Sequence, residues 1–258
     1  MTQLLLKKSS IAYDDFEWLQ KVNPFVGFSL HGPKEIHDAF CQMEGSYDKT
    51  LASLKTSIKM NINAGVITCV TKLNYNYYYT WIQSLVGLGI STFFILYFSP
   101  LGRGNGRHDL QLSNEEWMSL YLSLKDYVLY SNLPLNIYFE TSVFQSPPPL
   151  SRGARTSCYI FYNSNCVVDA NGDVYPCILL LRNPEFRLGN FKINSMYEIW
   201  SRSNPELWDT KLQSTSKCDV CSSLPICRKG CPAYYSAGLD FRCDGKHIPI
   251  CPLYTELL

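Results

Sequence analysis

Cysteine is the residue type in this chain whose number and spacing indicate a chemical role. Nine of the eleven cysteines lie between Cys158 and Cys251. The tightest group has two, five and three residues between its successive members, which are Cys218, Cys221, Cys227 and Cys231. Thiolates are soft ligands, and a dense local set of them is typical of zinc sites and iron–sulfur clusters.

Metal binding accounts for these cysteines better than disulfide bonding does. Of the four histidines only His247 lies within the region, so sulfur is the dominant donor there. Disulfides are the main alternative, since cysteine pairs also cross-link small secreted domains. The first residues carry no basic region, apolar stretch of signal length or small-residue cleavage site, so we expect a reducing, cytoplasmic compartment. Crowded thiols in such a compartment are more often metal ligands than disulfides.

Composition limits the classes of partner. The formal net charge is +1 with both signs mixed along the chain, so no basic stripe indicates a nucleic-acid partner. The longest apolar run, residues 93–98, is too short to span a bilayer and suits a buried strand, so no membrane partner is expected. At 258 residues the chain is long enough for two packed units.

The first part of the chain alternates strand and helix patterns. Apolar, β-branched runs predict buried strands at residues 25–30, 66–71, 90–98 and 135–144. Between the first two runs, helical spacing predicts a helix over residues 46–62, with Gly65 placed to end it. Strands alternating with helices indicate an α/β fold with parallel strands covered by helices.

Two more helices and a boundary follow from local signals. Apolar residues from Tyr78 to Leu85 have helical spacing, and Gly87 and Gly89 come after them. Ser113 and Glu116 have the spacing of a capping box ahead of another periodic stretch. Three successive prolines make residues 146–155 a linker, because proline removes backbone donors. The predicted domains are therefore 1–145 and 156–258.

The cysteine-rich region resembles the SPASM domain, the auxiliary iron–sulfur module of many radical S-adenosylmethionine (SAM) enzymes. That family's pattern is a cysteine, then Gly-x4-Cys, then C-x2-C-x5-C-x3-C, then a last cysteine. Here Cys158 precedes Gly172 and Cys177, and the central quartet matches without a gap. Two connecting segments are also similar to the family, residues 186–191 and 196–200.

The first part resembles the second half of a radical SAM barrel. The similar segments, in family order, are residues 28–32, 37–46, Asn74 and 100–104. The chain is similar to the family from about the third strand of a six-strand barrel, with Thr2 to Leu6 as that strand. The C-x3-C-x2-C motif that the family uses to bind SAM on a cluster does not occur in the 258 residues. The resemblance therefore implies an incomplete barrel that does not cleave SAM alone.

The resemblance also implies two sets of cluster ligands. One [4Fe–4S] cluster would take Cys158, Cys177 and Cys231, with Cys166 as the fourth ligand. A three-cysteine cluster with an open iron is the alternative for this set. The second [4Fe–4S] cluster would take Cys218, Cys221, Cys227 and Cys251, and Cys243 competes with Cys251 for the last place.

Three residues of the first part are candidates for a ligand contact or for packing, namely Ser29, Cys41 and Cys69. By resemblance, Ser29 occupies a strand-end position near the SAM ribose or carboxylate, and it is our candidate SAM contact. Cys41 stands where the family often has arginine. Cys41 and Cys69 are isolated on apolar patterns, so we expect them to pack as small buried hydrophobes rather than as ligands.

Three functions remain open from the sequence. The resemblance implies the C-terminal part of a peptide- or protein-modifying radical SAM enzyme, which uses SAM only if the missing barrel half is supplied. The second interpretation is an iron–sulfur electron-transfer or peptide-binding subunit that partners a complete enzyme. The third is a zinc-binding interaction module. No catalytic residue can be named from the sequence.

A parallel sheet that lacks its first strands presents an unpaired edge and an uncovered apolar face. We expect a separately encoded barrel half, a dimer mate or an upstream coding region to cover it. The isolated chain should therefore be poorly soluble or oligomeric. Sedimentation velocity and calorimetry test this expectation, and a monodisperse, cooperatively melting monomer would contradict it.

Overall fold

The computed structural model describes residues 3–6, 13–131, 133, 135–139, 160, 166–202 and 233. The described residues fall into two compact units. One unit is built on a five-stranded sheet and the other on a three-stranded sheet.

The first unit has the α/β architecture that the sequence predicts. Its strands run in chain order across one parallel sheet: β1 Gln3–Leu6, β2 Phe25–Ser29, β3 Ala64–Val70, β4 Thr92–Tyr97 and β5 Asn136–Phe139. Five α-helices connect them: α1 Tyr13–Val22, α2 Lys34–Cys41, α3 Ser46–Lys59, α4 Tyr78–Gly87 and α5 Asn114–Tyr130. Crossover helices between parallel neighbours are what a strand–helix–strand series produces.

Helix faces and strand side chains form the core of this unit. Trp81, Ile82 and Leu85 of α4 are buried, and so is Trp117 of α5. They cover sheet residues such as Phe93 that are also fully buried. Each such apolar side chain contributes about 1.5–3 kcal/mol when it is removed from water. In the described part of the chain, no helix combines the length and the apolarity that a membrane span requires.

Several local predictions are confirmed. The capping box begins α5, since the Ser113 hydroxyl accepts from the Glu116 amide at 3.2 Å and Glu116 Oε2 accepts from the Ser113 amide at 2.6 Å. Helix α4 ends at Gly87, and Gly89 adopts a φ of +87° just after it. The end of the predicted strand 135–144 and the linker 146–155 lie outside the described residues.

Gly65 does not end the preceding helix, contrary to our prediction. Helix α3 stops at Lys59, and Asn61 makes the reversal with a φ of +57°. Gly65 lies inside β3, where a Cβ atom would come 2.5 Å from the Thr92 carbonyl oxygen of β4. The glycine is therefore required by the close approach of two strands. Helices α1 and α2 were not predicted.

The second unit is small and mostly irregular. Its strands form an antiparallel sheet in the order β6 Val167–Val168, β7 Asp173–Tyr175 and β8 Gly189–Asn190. Helix α6, Met196–Ser201, follows β8 and begins with a second capping box between Ser195 and Glu198. These short strands, the loops between them and α6 contribute buried apolar side chains, among them Val174, Phe186 and Ile199.

The contact at Gly65 gives a test of the strand packing. We expect Gly65→Ala to lower the free energy of unfolding by roughly 2 kcal/mol, because the added methyl group collides with backbone rather than with a flexible side chain. Gly87→Ala is the matched control, since nothing lies within 4 Å of its added Cβ. Urea denaturation measures both variants, and equal midpoints for the two would contradict the assignment.

Candidate functional site

Two of the predicted cluster ligands lie at one end of a β-hairpin. Cys166 comes directly before β6, and Cys177 follows two residues after β7. The register pairs Val167 with Tyr175, so residues just before β6 lie opposite residues just after β7. Continuing this register sets Cys166 opposite Pro176, so the hairpin places Cys166 and Cys177 at its open end, offset by one position, although ten residues separate them in the chain.

A tight turn closes the other end of this hairpin. The Asp169 carboxylate accepts from the amides of Asn171 at 2.8 Å and Asp173 at 3.0 Å. Gly172 adopts a φ of +89°, and its amide donates to the Asp169 carbonyl at 3.0 Å. Aspartate stabilises such a turn through its own side chain, and glycine allows the left-handed backbone. The turn fixes the strand register and with it the position of the two cysteines.

Asn190 attaches β8 to the hairpin. Its side-chain amide donates to the Asn171 carbonyl at 3.2 Å and to Asp173 Oδ1 at 2.8 Å, while its Oδ1 accepts from the Lys192 amide at 2.8 Å. Asp173 also accepts from Arg187 Nε at 2.6 Å. The hydrogen bond from Asn190, followed by that from Arg187, lowers the pKa of Asp173, and burial opposes them. The ionised carboxylate thus joins β7 to the segment before β8.

The two cysteine thiols suit a soft metal. Both are half-buried, and burial raises the pKa of the Cys166 thiol. A soft metal would bind the deprotonated form and displace the proton. The other predicted ligands lie outside the described residues: Cys158, Cys218, Cys221, Cys227, Cys231, Cys251 and the alternative Cys243. Within the described ranges no three His, Cys, Asp or Glu side chains come close enough to hold a metal ion.

A second group of polar residues lies at the carboxyl edge of the parallel sheet. Asn74 is fully buried and donates to the carbonyls of His31 at 2.8 Å and Cys69 at 2.9 Å. Its Oδ1 accepts from the Thr71 amide at 2.7 Å. Asn74 therefore joins the loop after β2 to the end of β3 and satisfies buried backbone groups of both.

Ser29, the candidate SAM contact, lies at this same edge. It is the last residue of β2, it pairs with Ile67 of β3, and it is half-buried. Ligands of open parallel sheets and barrels bind at the carboxyl ends of the strands. The position agrees with a ligand contact, and the contact itself stays a prediction.

Hydrogen bonds at this edge define the tautomers of His31 and His37. His31 Nδ1 accepts from the Cys69 amide at 3.2 Å, and His37 Nδ1 accepts from the His31 amide at 3.1 Å. Each neutral ring therefore carries its proton on Nε2. Burial lowers the pKa of His37, and nearby Asp38 acts in the opposite direction. The His37 imidazole therefore binds a proton more readily in the unfolded chain than in the folded one. As a result, the free energy of unfolding falls as the pH drops below 6.5.

Cys41 and Cys69 are both half-buried, whereas we expected fully buried residues. The Cys41 sulfur lies 3.6 Å from His37 Nε2 and 3.9 Å from Nδ1. Such similar distances place the sulfur beside the carbon between the two nitrogens, not along the N–H direction. The contact is therefore packing against the ring, and it does not form an acid–base pair.

Sequence reasoning missed the structural importance of Asn190 and His37. Both residues lie in segments that resemble the family, and neither was assigned a role from the sequence. The available signal was position, because His37 follows the carboxyl end of a predicted strand and Asn190 follows a glycine near the predicted clusters. Neither signal identifies the hydrogen-bond partners, which are the His31 amide for His37 and, for Asn190, groups on the β6–β7 hairpin.

Comparison with known proteins agrees with this arrangement. Residues 158–232 match the family model of SPASM, the iron–sulfur cluster-binding domain. The chain is 24% identical over 232 residues to the cysteine-type anaerobic sulfatase-maturating enzyme of Clostridium novyi, covering 86% of this chain and 61% of that protein. It is 23% identical over 268 residues to the serine-type enzyme of Bacteroides thetaiotaomicron, covering 90% and 62%. The chain thus spans about three fifths of these relatives.

Solved structures share the fold. The structure of anSMEcpe with bound AdoMet matches with a TM-score of 0.67 at 20% identity, over 98% of this chain and 68% of that one. Streptococcus suis SuiB matches with a TM-score of 0.69 at 18% identity, over 92% and 57%. The cluster-binding family model over residues 158–232 and the sulfatase-maturating relatives support a radical SAM/SPASM protein, and the solved structures show that the fold is shared.

Proposed function

We propose that this chain is the C-terminal part of a radical SAM/SPASM enzyme that modifies a peptide or protein, and that it binds two auxiliary [4Fe–4S] clusters. The observation that supports the proposal most directly is the β6–β7 hairpin with Cys166 and Cys177 at its open end. A family model for cluster binding covers the same residues. Two of the structural neighbours were solved with bound peptides, Cp18Cys with anSMEcpe and SuiA with SuiB.

In this proposal the first cluster is held by Cys158, Cys166, Cys177 and Cys231, and the second by Cys218, Cys221, Cys227 and Cys251. Auxiliary clusters supply a route for electrons or, at an open iron, a place for substrate to bind. The protein itself orients the thiolates, buries them and excludes water from the cluster. The turn at Asp169 and the hydrogen bonds of Asn190 do this for the first cluster.

The radical-generating cluster is proposed to lie on the missing barrel half, from an upstream region or a separate chain. The relatives are longer than this chain, and the 258 residues contain no C-x3-C-x2-C. Among the described strands, β1 is an edge of the parallel sheet and is the place where such a half would pair. With that half in place, Ser29 would contact SAM.

Iron content tests the cluster assignment. Protein purified and reconstituted without oxygen should hold about eight irons and as many sulfides per chain, the content of two cubane clusters. Elemental analysis and electron paramagnetic resonance after reduction measure this. Colourless protein with tightly bound zinc and no iron would exclude the proposal and favour a zinc-binding module.

Cysteine variants test the ligand sets. We expect Cys177→Ala to lose about four irons, because it removes a ligand of one cluster. Cys41→Ala is the matched control and should keep the full iron content, since Cys41 belongs to the other unit. Cys166→Ala separates the two alternatives for the first cluster. Loss of iron indicates a fourth ligand, and full retention indicates a three-cysteine cluster with an open iron.

SAM cleavage tests the assignment of the missing half. We expect the reconstituted chain, given SAM and a strong reductant, to produce no 5′-deoxyadenosine above a protein-free control. The reason is that the chain lacks the three-cysteine motif that leaves one iron open for SAM. Turnover of SAM by this chain alone, measured by chromatography, would overturn the assignment while leaving the auxiliary clusters untouched.

A further inference from the structure

A cleft of about 300 Å³ lies in the second unit, next to strand β8. The side chains that matter for its chemistry are Glu185, Arg187, Asn194 and Arg202. Two guanidinium groups and one carboxylate give the lining a formal charge of +1. Arg187 is paired with Asp173, which is not part of the lining, so Arg202 is the cation that remains for an anionic ligand.

The two arginines of the cleft differ in their partners. Arg187 Nε donates to Asp173 at 2.6 Å, so its charge is already compensated. Arg202 Nη1 donates to the Leu188 carbonyl at 3.4 Å, and within the described ranges Arg202 forms no ion pair. The backbone contact orients the Arg202 side chain and leaves most of its five N–H donors for a ligand. Arg202 is therefore the cationic end of the cleft.

Asn194 supplies a second donor whose orientation is fixed. Its Oδ1 accepts from the Asn190 amide at 3.1 Å, so the Nδ2 amino group is the end that can donate to a ligand. Gly189 keeps this arrangement tight, because a Cβ there would come 2.9 Å from Ile199 Cγ1 and 3.0 Å from Asn194 Oδ1. The amide and the guanidinium together form a donor set suited to a carboxylate.

Large apolar side chains stand exposed in the same turn and at the start of α6. This apolar strip consists of Phe191 at 44% exposure, Ile193 at 79%, Met196 at 42% and Tyr197 at 85%. Four exposed apolar side chains within seven residues are more than scattered surface residues explain, and such groups mark interaction sites. The strip flanks Asn194 in sequence, so one ligand can reach both the strip and the cleft.

We propose that the cleft and the apolar strip bind an acidic polypeptide segment. The carboxylate of a glutamate or aspartate side chain of that segment binds Arg202 and the Asn194 amide, while neighbouring apolar residues cover the strip. A small free dicarboxylate has the same charged group but leaves the strip exposed to water. This binding role goes beyond the proposed reaction, because it does not depend on the clusters or on SAM.

Fluorescence anisotropy of the full, reconstituted chain tests the proposal with two labelled peptides. One peptide has a single central glutamate between leucines, and the other has glutamine at that position. We expect saturable binding of the glutamate peptide with a Kd below about 1 mM. Replacing the glutamate, or making Arg202→Gln, should weaken binding about tenfold, the usual effect of losing a charged hydrogen bond. In Arg202→Gln the preference for glutamate should disappear.

Three further variants keep the test specific. Arg182→Gln makes the same charge change outside the cleft and the apolar strip and should alter the Kd less than about twofold. Arg202→Lys keeps the charge but loses the planar fork, so its affinity should be intermediate. Asn194→Asp keeps the acceptor for the Asn190 amide and should weaken only the glutamate peptide. Circular dichroism confirms that each variant is folded.

Four outcomes would overturn the proposal. The first is equal affinity for the two peptides, and the second is an equal loss in Arg182→Gln and Arg202→Gln. The third is displacement of the glutamate peptide by succinate at the peptide's own Kd, which would identify a small-anion site. The fourth is the absence of saturable binding to the unmodified chain. None of these outcomes bears on the iron content, so the cluster assignment is tested separately.

Discussion

Backbone pairing between neighbouring strands is the constraint that decides which side chains meet in both units. In the parallel sheet, the pairing of β2 with β3 places the carboxyl ends of both strands at one edge. The hydrogen bonds from Asn74 to His31 and Cys69 depend on that alignment. In the second unit, the pairing of β6 with β7 places Cys166 and Cys177 at one end of a hairpin. A shift of one residue would turn each of these side chains to the opposite face.

Polar hydrogen bonds and buried apolar side chains together hold the described part of the second unit. Asn190 is 8% exposed and contacts the Asn171 carbonyl and the Asp173 carboxylate, and Arg187 adds a charged hydrogen bond. The strands here are two or three residues long, and β7 contributes Val174 and Tyr175 to the buried apolar set. A bound metal cluster is a general way to stabilise such a loop-rich domain, because binding free energy adds to folding free energy. These hydrogen bonds and the cluster would therefore stabilise the same hairpin.

The two candidate functional regions differ in how closely they are packed. The carboxyl edge of the parallel sheet is closely packed, with fixed histidine tautomers and a buried asparagine. The cleft beside β8 is open, charged and flanked by exposed apolar residues. Packed polar networks hold groups in one geometry, whereas an open charged cleft with an apolar border is suited to polypeptide recognition.

The amino-acid sequence alone predicted strands β2 to β5 and helices α3 to α5 in their order, the parallel sheet, the capping box at Ser113 and the cluster-like spacing of the cysteines. These features follow from local periodicity and from fixed intervals along the chain. Tertiary structure alone decided that Gly65 belongs inside β3, since the reason is the Thr92 carbonyl of a strand 27 residues away. It also decided the roles of Asn74, Asn190 and Arg202. Their partners include the carbonyl groups of His31, Asn171 and Leu188 and the Asp173 carboxylate, which become neighbours only after the strands pair, and no local pattern encodes that proximity.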